Sequence, residues 1–224
     1  MSQEQEKKLA AETAAALVQE GMIIGLGTGS TAAFAIQKLG ARIREGLHIQ
    51  CVPTSEWTAQ RAREENIPLI DFSQTTHIDL TLDGADEFDA DLKLIGGGGG
   101  ALFREKIVAA ASQQLVIFAD ATKRVARLGR FPLPVEVNPY GWQVVAERIT
   151  RLGARVTLRQ KDGKPFISDN HGLILDCAFG EIPDPPTLEE KLKHVVGVME
   201  TGLFVGMANR IILAEGTSVW HLTR

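Results

Sequence analysis

Cysteines, aromatic residues and long apolar runs are all scarce in this sequence. It has two cysteines among 224 residues, and 6% of its residues are aromatic. Cys51 and Cys177 stand apart, without the spacing of a zinc or redox motif, so we expect both to be reduced and buried, which fits the cytoplasm. The longest apolar runs, such as 115–119, are far shorter than the roughly 20 residues of a membrane span. The first residues, MSQEQEKKLA, are polar and charged, which argues against a signal peptide.

An excess of charge of either sign is also lacking. Lys and Arg together number 24, and Asp and Glu number 28, which gives a net charge of −4. Nothing in this balance indicates a nucleic-acid partner. An anionic ligand would need amides and cations placed at its own site, because the net charge opposes it. The five histidines show no metal-ligand spacing, so we predict no metal.

The composition, 44% hydrophobic and 23% charged, is that of a globular protein with one or two domains. Strand and helix patterns alternate with short connections up to Asp120, which predicts an α/β fold with an open, mostly parallel sheet. We predict strands over 22–26, 47–52, 79–82, 92–95 and 115–119, and helices over 4–19, 31–39, 57–65 and 101–113.

The pattern changes at 131–134, where the sequence reads FPLP. Strand, helix and strand follow, then a hairpin near 161–163, strands near 166–168 and over 173–179, a helix from 185 and a strand over 199–204. This order resembles a split βαβ, ferredoxin-like unit with an extra strand. We therefore predict a catalytic domain formed by 1–130 with 205–224, and a smaller α+β lid or oligomerisation domain formed by 131–204. The tail, 210–222, is expected to return to the main sheet.

The first candidate site is the turn 27–31, GTGST. Glycines allow a tight turn close to a ligand, and the start of the next helix presents free N–H groups, so the turn favours an anion such as phosphate. With Ala32 it also matches the weak dinucleotide pattern G-x-G-x-x-A. That pattern requires an acid at the end of the next strand, about 20 residues on. The first acid there, Glu56, comes later, so phosphate is the better-supported ligand.

The second candidate is DGADE at 83–87, which follows a predicted strand. The carboxyl ends of strands line the ligand crevice of open α/β sheets. Asp83 and Asp86 could accept hydrogen bonds from sugar hydroxyls and relay protons. The alternatives are a solvated acidic loop, to which we assign Asp89 and Asp91, and a calcium loop, whose ligand spacing is not matched.

The third candidate is the run of five glycines at 96–100 together with Glu105, which follows it. The fourth candidate is Lys123. A glycine run is costly in backbone entropy and is typical of a loop that brings backbone close to a ligand. Glu105 falls near a helix start, where the dipole favours its charged form, and is a candidate general base. Without the neighbouring motifs, Glu105 fits equally well a solvated surface charge at the start of a helix. Lys123 could hold a phosphate or an oxyanion, although a lone loop lysine is more commonly just solvated.

These four stretches, in this order, resemble the ribose-5-phosphate isomerase A family, and the likeness covers nearly the whole chain. The segment FPLPVEV at 131–137 is similar to the family's entry into its second domain. The resemblance implies a Rossmann-like domain with a smaller α+β lid, a sugar-phosphate ligand, no cofactor, no metal, and a homodimer or homotetramer. It implies that Glu105, Asp83 and Asp86 are catalytic. The implied substrate-binding residues are Asp83, Asp86, Thr28, Gly29, Ser30, Thr31, Gly84, Ala85, Gly96, Gly97, Gly98, Gly99 and Lys123.

The implied reaction interconverts D-ribose 5-phosphate and D-ribulose 5-phosphate, as in the non-oxidative branch of the pentose phosphate pathway. Glu105 would remove the C2 proton next to the C1 carbonyl, giving a cis-enediolate, and return it to C1. Asp83 or Asp86 would assist ring opening and move the O1 and O2 protons. Glycine-loop N–H groups would stabilise the enediolate oxygen.

One position departs from the family, which usually has Lys-Gly-Gly-Gly where this chain has Gly96 and the glycines after it. Lys93 is near in sequence, but an offset of three residues along a strand would place it on the opposite face. The missing cation keeps open a sugar-phosphate-binding protein of the same fold with weak or altered activity. A related acyl-CoA transferase and an NAD-dependent enzyme are weaker alternatives.

Overall fold

The structure, a computed structural model, describes residues 1–223. Arg224, the last residue of the predicted catalytic domain, lies outside the described residues. The chain divides into two compact units. Unit 1 comprises Met1–Ala85, Arg104–Arg124 and the described chain from Gly206 onward, and unit 2 comprises Asp86–Phe103 and Val125–Val205.

Helices and strands are numbered along the whole chain. Unit 1 contains α1 (Gln3–Ala15), β1 (Ile23–Leu26), α2 (Ser30–Arg44), β2 (Gln50–Pro53), α3 (Glu56–Glu64), β3 (Ile78–Asp83), β6 (Ser112–Asp120), a 3₁₀ turn (Ala121–Lys123), β14 (Arg210–Glu215) and β15 (Ser218–Thr223). Unit 2 contains β4 (Glu87–Phe88), β5 (Leu94–Ile95), β7 (Leu133–Val137), α5 (Trp142–Arg151), β8 (Arg155–Leu158), β9 (Gln160–Lys161), β10 (Lys164–Pro165), β11 (Leu173–Ala178), α6 (Pro185–Lys193), β12 (Val198–Thr201) and β13 (Leu203–Phe204). Helix α4 (Leu102–Ala110) begins in unit 2 and continues in unit 1.

Unit 1 is built on a six-stranded sheet with the order β15-β14-β6-β3-β1-β2. All neighbouring pairs are parallel except β14 and β15, which form an antiparallel hairpin. The central strands are short apolar runs because parallel strands are covered on both faces. Buried residues of α1 and α2, among them Ala11, Ala14 and Ile36, pack with Leu26 and Phe118 of the sheet. The predicted parallel sheet and the return of the tail to it are confirmed.

Unit 2 contains a four-stranded antiparallel sheet with the order β12-β7-β11-β8. With α5 after β7 and α6 after β11, it has the predicted ferredoxin-like order of elements. The predicted extra strand near 166–168 is reduced to an isolated antiparallel bridge between Ile167 and Leu173, the first residue of β11. The predicted hairpin near 161–163 is confirmed as β9–β10, which is separate from this sheet. Both of its turn residues, Asp162 and Gly163, have positive φ, as a tight two-residue hairpin turn requires.

A three-stranded sheet with the order β13-β5-β4 corrects two predicted strands. The predicted strand over 199–204 breaks at Gly202, which donates to Pro134 O at 2.8 Å and accepts from Gly96 N at 2.9 Å. Residues on the two sides of this break therefore belong to different sheets. The predicted strand over 92–95 begins only at Leu94, because Leu92 has a φ of +59°.

The same sheet explains why the two units differ from the predicted division at residue 130. Strands β4 and β5 pair with β13, more than 100 residues later, so the segment 86–103 groups with unit 2. The buried carboxylate of Glu87 adds a second tie within this unit, because it accepts from Gly129 N at 2.8 Å and from Phe131 N at 2.6 Å. That the units are separately folding domains remains a prediction.

Candidate functional site

The turn between β1 and α2 lies at the carboxyl edge of the parallel sheet of unit 1. Gly29, with a φ of +126°, precedes α2 and has no side chain to cap it, so the first N–H groups of a 15-residue helix point out of the turn. Ser30 is exposed beside them. Free N–H groups and the positive end of the helix dipole suit an anion.

A cluster of four hydroxyl groups holds this turn from beneath, and we call it the hydroxyl cluster. Thr28 Oγ1 lies 2.8 Å from Thr54 Oγ1, 2.8 Å from Ser55 Oγ and 2.9 Å from Thr58 Oγ1. Thr58 in turn donates to Gly27 O at 2.9 Å. Thr54 donates its own hydrogen to Leu26 O at 2.8 Å, so the single hydrogen of Thr28 is the one available to its three neighbouring oxygens. The hydroxyl cluster therefore ties the side chain of Thr28 to the connection between β2 and α3.

Asp83 ends β3, the strand next to β1, and touches the same turn. A Cβ atom at Gly27 would overlap the Asp83 carboxylate and would stand 2.7 Å from Asp83 Cα, so only glycine fits there. The carboxylate is largely buried and accepts from Gly84 N at 2.7 Å. The structure thus brings together the turn, Asp83 and Gly84, as predicted for one sheet edge.

Glu105 lies in the first turn of α4 and is only 4% exposed. The helix packs closely on β1, since a Cβ atom at Gly25 would stand 2.6 Å from Val108 Cγ1. Its neighbours in sequence differ: Lys106 is also buried, whereas Arg104 makes a 2.9 Å ion pair with Glu56 on α3. Glu105 is therefore a buried carboxylate fixed on a packed helix, which suits a general base better than a solvated surface charge.

Lys123 ends the 3₁₀ turn that follows β6. The fully buried Asp120 caps this turn through a 3.0 Å bond from Thr122 N to its Oδ1. Since β6 pairs in parallel with β3, Lys123 follows the same edge of the sheet as Asp83. Within unit 1, the turn 27–31, Asp83 and Lys123 thus lie at the carboxyl ends of β1, β3 and β6, respectively. Glu105 lies on α4, the helix that packs against β1.

Asp86 and the glycine loop, residues 96–100, lie in unit 2 and are joined directly. Asp86 Oδ2 accepts from Gly98 N at 2.6 Å, and a Cβ atom at Gly98 would overlap this carboxylate. Gly97 and Gly100 have φ of +89° and +85°, and a 2.9 Å bond from Gly100 N to Gly97 O closes the turn. The loop therefore requires glycine at several positions, and Asp86 holds its backbone.

Of the two acidic residues predicted to be solvated, Asp91 is exposed, whereas the prediction for Asp89 is wrong. Asp89 is largely buried, and its Oδ1 accepts from the N–H groups of Asp91 and Lys93, both at 2.9 Å. Lys93 Nζ bonds to Asp91 Oδ2 at 2.7 Å, and this hydrogen bond raises the pKa of Lys93. Lys93 thus serves the β4–β5 connection and does not replace the lysine that is missing at Gly96.

Sequence reasoning missed Arg159, which contacts the glycine loop, and Asp176, which holds Arg159. Arg159 donates through Nη1 to Gly98 O at 2.9 Å and to Gly97 O at 3.3 Å. Its guanidinium also makes a bidentate pair with Asp176 on β11. They lie some 60 and 80 residues beyond the loop, in a part of the sequence without any motif, so no local signal points to them.

The comparisons with known proteins agree on one family. The model of ribose 5-phosphate isomerase A (phosphoriboisomerase A) matches residues 50–218. Ribose-5-phosphate isomerase A of Bacillus anthracis is 51% identical over 217 residues, which are 96% of this chain and 99% of that relative. The chain belongs to the ribose 5-phosphate isomerase A family. Another member, from Gloeobacter violaceus, is 52% identical over 219 residues, 97% of this chain and 95% of its own length.

Solved structures of the family have the same fold. Ribose 5-phosphate isomerase A of Methanocaldococcus jannaschii is 38% identical, with a TM-score of 0.95 over all of both chains. A D-ribose-5-phosphate isomerase in complex with phospho-erythronic acid is 37% identical, with a TM-score of 0.97 over all of both chains. The predicted family and fold class are thereby confirmed.

Proposed function

We infer that this protein is a ribose-5-phosphate isomerase, an aldose–ketose isomerase that interconverts D-ribose 5-phosphate and D-ribulose 5-phosphate. The observation that carries this inference is the family relationship, at 51% identity over nearly the whole chain. The site geometry fits the same reaction. The helix start after 27–31 suits a phosphate, and a buried carboxylate, Glu105, suits proton transfer next to a carbonyl.

We propose the following division of labour among the site residues. Glu105 takes the C2 proton of the open-chain aldose and returns it to C1 through a cis-enediolate. Asp83 assists ring opening and moves the O1 and O2 protons. Asp86 either shares this role or supports the glycine loop, from which it accepts a hydrogen bond. The remaining contacts to substrate come from Thr28, Gly29, Ser30, Thr31, Gly84, Ala85, Gly96, Gly97, Gly98, Gly99 and Lys123.

The reaction as proposed needs no cofactor and no metal, since proton transfer between adjacent carbons leaves the overall oxidation state unchanged. Among residues 1–223, no group of three or more His, Cys, Asp or Glu side chains is placed to hold a metal ion. The proton steps are therefore assigned to carboxylates, and charge stabilisation is assigned to loop amides and Lys123.

The direct test is incubation of the purified protein with ribose 5-phosphate and no added cofactor, followed by measurement of ketose formation. Turnover comparable to that of the family is expected. The alternative, a sugar-phosphate-binding protein with weak activity, predicts binding of ribose 5-phosphate by calorimetry with little or no ketose formed. Absence of both binding and turnover would contradict both functions.

A second test uses phospho-erythronic acid, which is bound in one of the similar structures. Its carboxylate presents two oxygens on one carbon, much as a cis-enediolate presents two on neighbouring carbons, and its phosphate suits the turn at 27–31. We expect competitive inhibition against ribose 5-phosphate, with tighter binding of the acid than of the substrate, because transition-state-like ligands bind better.

We further propose that the protein is cytoplasmic and forms a homodimer or homotetramer, with unit 2 as a lid or a subunit contact. Cys51 and Cys177 are unpaired and buried, and burial raises the pKa of both thiols, which fits a reducing compartment.

Exposed apolar side chains of unit 2, such as Tyr140 and Val196, suit a contact with another subunit. Among the described residues no helix is long and apolar enough to span a membrane. Light scattering would give the mass of the assembly.

A further inference from the structure

The peptide groups of the glycine loop are held from two directions by charged side chains of unit 2. In the peptide between Gly97 and Gly98, the carbonyl oxygen accepts a hydrogen bond from Arg159 Nη1 at 3.3 Å. The N–H of the same peptide donates to Asp86 Oδ2 at 2.6 Å. The next peptide, between Gly98 and Gly99, has its carbonyl 2.9 Å from the same Nη1 atom. One guanidinium nitrogen therefore sets the orientation of two successive peptide planes.

Orienting a carbonyl also orients the N–H at the other end of the same peptide. The peptide bond is planar and trans, so its C=O and N–H point in opposite directions. With the Gly98 carbonyl directed at Arg159, the Gly99 N–H is directed away from the guanidinium. Gly99 is the exposed residue of the loop, whereas Gly96, Gly97 and Gly100 are buried. The Gly99 N–H is thus the loop donor that is presented to a ligand.

Arg159 is itself held firmly enough for this purpose. Its Nε and Nη2 atoms pair with the two carboxylate oxygens of Asp176, and its side chain is only 14% exposed. A bidentate guanidinium–carboxylate pair fixes both the plane and the position of the guanidinium. The remaining nitrogen, Nη1, is therefore aimed at the loop and does not sample solvent.

The loop also needs such support more than an ordinary turn does. Five successive glycines have wide conformational freedom, so an unsupported loop would lose much entropy whenever it ordered around a substrate. A cation on the carbonyl side also polarises each peptide and strengthens its N–H as a donor. In this chain, where Gly96 stands at the usual lysine position, Arg159 supplies a positive charge to the loop.

We propose that Arg159, fixed by Asp176, is a positioning residue that orders the glycine loop and aims the Gly99 N–H at the reacting oxygens of the sugar phosphate. It acts through the loop backbone and does not touch substrate. The proposal rests on the proposed isomerase function for its kinetic consequence, but the ordering of the loop is independent of activity.

The test compares Arg159→Gln, Arg159→Lys and Asp176→Asn with the parent enzyme. Steady-state kinetics on ribose 5-phosphate should show that Arg159→Gln lowers kcat/KM by about 10- to 100-fold, the loss of one or two charge-assisted hydrogen bonds, mainly through kcat. Arg159→Lys should retain part of the activity, because an ammonium can reach one carbonyl but cannot also pair with both Asp176 oxygens. Asp176→Asn should fall between the parent and Arg159→Gln.

Two further measurements separate loop ordering from general loss of structure. Hydrogen exchange of the loop amides should accelerate in Arg159→Gln, while the strands of unit 1 stay as protected as in the parent. The matched control is Arg127→Gln, which removes an arginine of unit 2 from an exposed 3.3 Å pair with Glu181. It should leave both the exchange of the loop amides and kcat/KM at parental values.

Each result of these measurements supports or overturns the positioning role of Arg159. An Arg159→Gln enzyme with parental kcat, KM and loop exchange would overturn the proposal. If Arg159→Gln fails to fold, parental kcat in both Arg159→Lys and Asp176→Asn would overturn it equally. An inactive parent whose loop exchange still responds to Arg159→Gln would refute the proposed isomerase function but leave the positioning role in place.

Discussion

The side chain of Glu105 combines burial with a fixed helical position, which distinguishes it from the other carboxylates of unit 1 near the turn. Asp83 accepts a bond from its own neighbouring backbone, and Glu56 is exposed and paired with Arg104. A base that must approach a carbon-bound proton has to be held in place, because a small misplacement is costly in rate. Packing of α4 on β1 provides that constraint.

We predict that Glu105→Gln lowers kcat by at least about 10²- to 10⁴-fold, because the amide cannot accept the C2 proton. The replacement is nearly isosteric, so the unfolding midpoint in urea should change little. The control is Glu147→Gln, which alters an exposed i,i+4 pair with Arg151 on α5 and should leave kcat unchanged. A Glu105→Gln enzyme with near-parental kcat would remove Glu105 from the mechanism.

Gly96 stands at the family's usual lysine position, and the structure shows what a side chain there would meet. A Cβ atom at this position would lie 3.1 Å from Phe204 Cε2, so the ring would have to shift by a few tenths of an ångström. The backbone of Gly96 is outside the positive-φ region, so a lysine can adopt it. Gly96→Lys is therefore feasible at a modest cost in stability.

We predict that Gly96→Lys modestly raises kcat/KM on ribose 5-phosphate, with a gain that shrinks as salt is added, because a new cation would attract the dianionic substrate. Gly96→Met is the matched control, since it adds a long side chain without charge. A fall in kcat/KM for Gly96→Lys alone would indicate that another cation already fills this role.

Lys123 is the residue that we expect to compensate for the missing lysine. Lys123→Ala should lower kcat/KM by about 10- to 100-fold, the equivalent of one charge-assisted hydrogen bond of about 1.5–3 kcal/mol. Lys8, which is exposed on α1, offers a control in Lys8→Ala. Unchanged kcat/KM in Lys123→Ala would refute the compensation.

At the scale of elements, the β1–α2 turn depends on the segment after β2 as much as on its own glycines. The hydroxyl cluster ties Thr28 to Thr54, Ser55 and Thr58, which lie at the end of β2 and the start of α3. Ser55 also caps α3 by accepting from Thr58 N at 3.0 Å. The position of the start of α2, where we propose that the phosphate binds, therefore depends on two neighbouring βα connections.

We predict that Thr28→Val destabilises the protein by about 1–3 kcal/mol and raises KM for ribose 5-phosphate more than it lowers kcat. Valine keeps the shape but removes the polar contacts of the Thr28 hydroxyl with Thr54, Ser55 and Thr58, so the turn loses its support. Urea unfolding and steady-state kinetics would measure both effects. Thr150→Val, which removes a single exposed side-chain bond to Ala146 O on α5, should change neither. Parental KM in Thr28→Val would contradict the supporting role.

The whole molecule carries no charge excess that would draw an anionic substrate to it, since its net charge is −4. Binding must therefore come from local features: the start of α2, the loop amides and single cations. This arrangement also makes the proposed chemistry independent of bound ions, because each proton step is assigned to a carboxylate of the chain.

We accordingly predict that kcat/KM survives exhaustive dialysis against EDTA. The assay is repeated after dialysis and again after adding back Mg²⁺, Mn²⁺ or Zn²⁺ one at a time. Unchanged activity throughout is expected. Loss of activity on chelation that one of these ions restores would contradict the cofactor-free mechanism.

The sequence by itself determined the order of elements in unit 1, the family and the four motifs. These depend on local patterns: apolar runs of strand length, glycines at turns, and polar residues directly after strands. In unit 1, the parallel sheet aligns the turn 27–31, Asp83 and Lys123 at its carboxyl edge. The ferredoxin-like order of unit 2 followed from the same kind of pattern.

Only the tertiary structure decided which distant residues support the site. Arg159 and Asp176 carry no local signal, because their role arises from where β8 and β11 lie relative to a loop some 60 residues earlier. The three hydroxyl groups that surround Thr28 come from the next βα connection, and no pattern near Thr28 indicates them. Segment 86–103 joined unit 2 because β4 and β5 pair with β13. Hydrogen bonds between residues far apart in sequence depend on how the chain packs, and no local pattern records them.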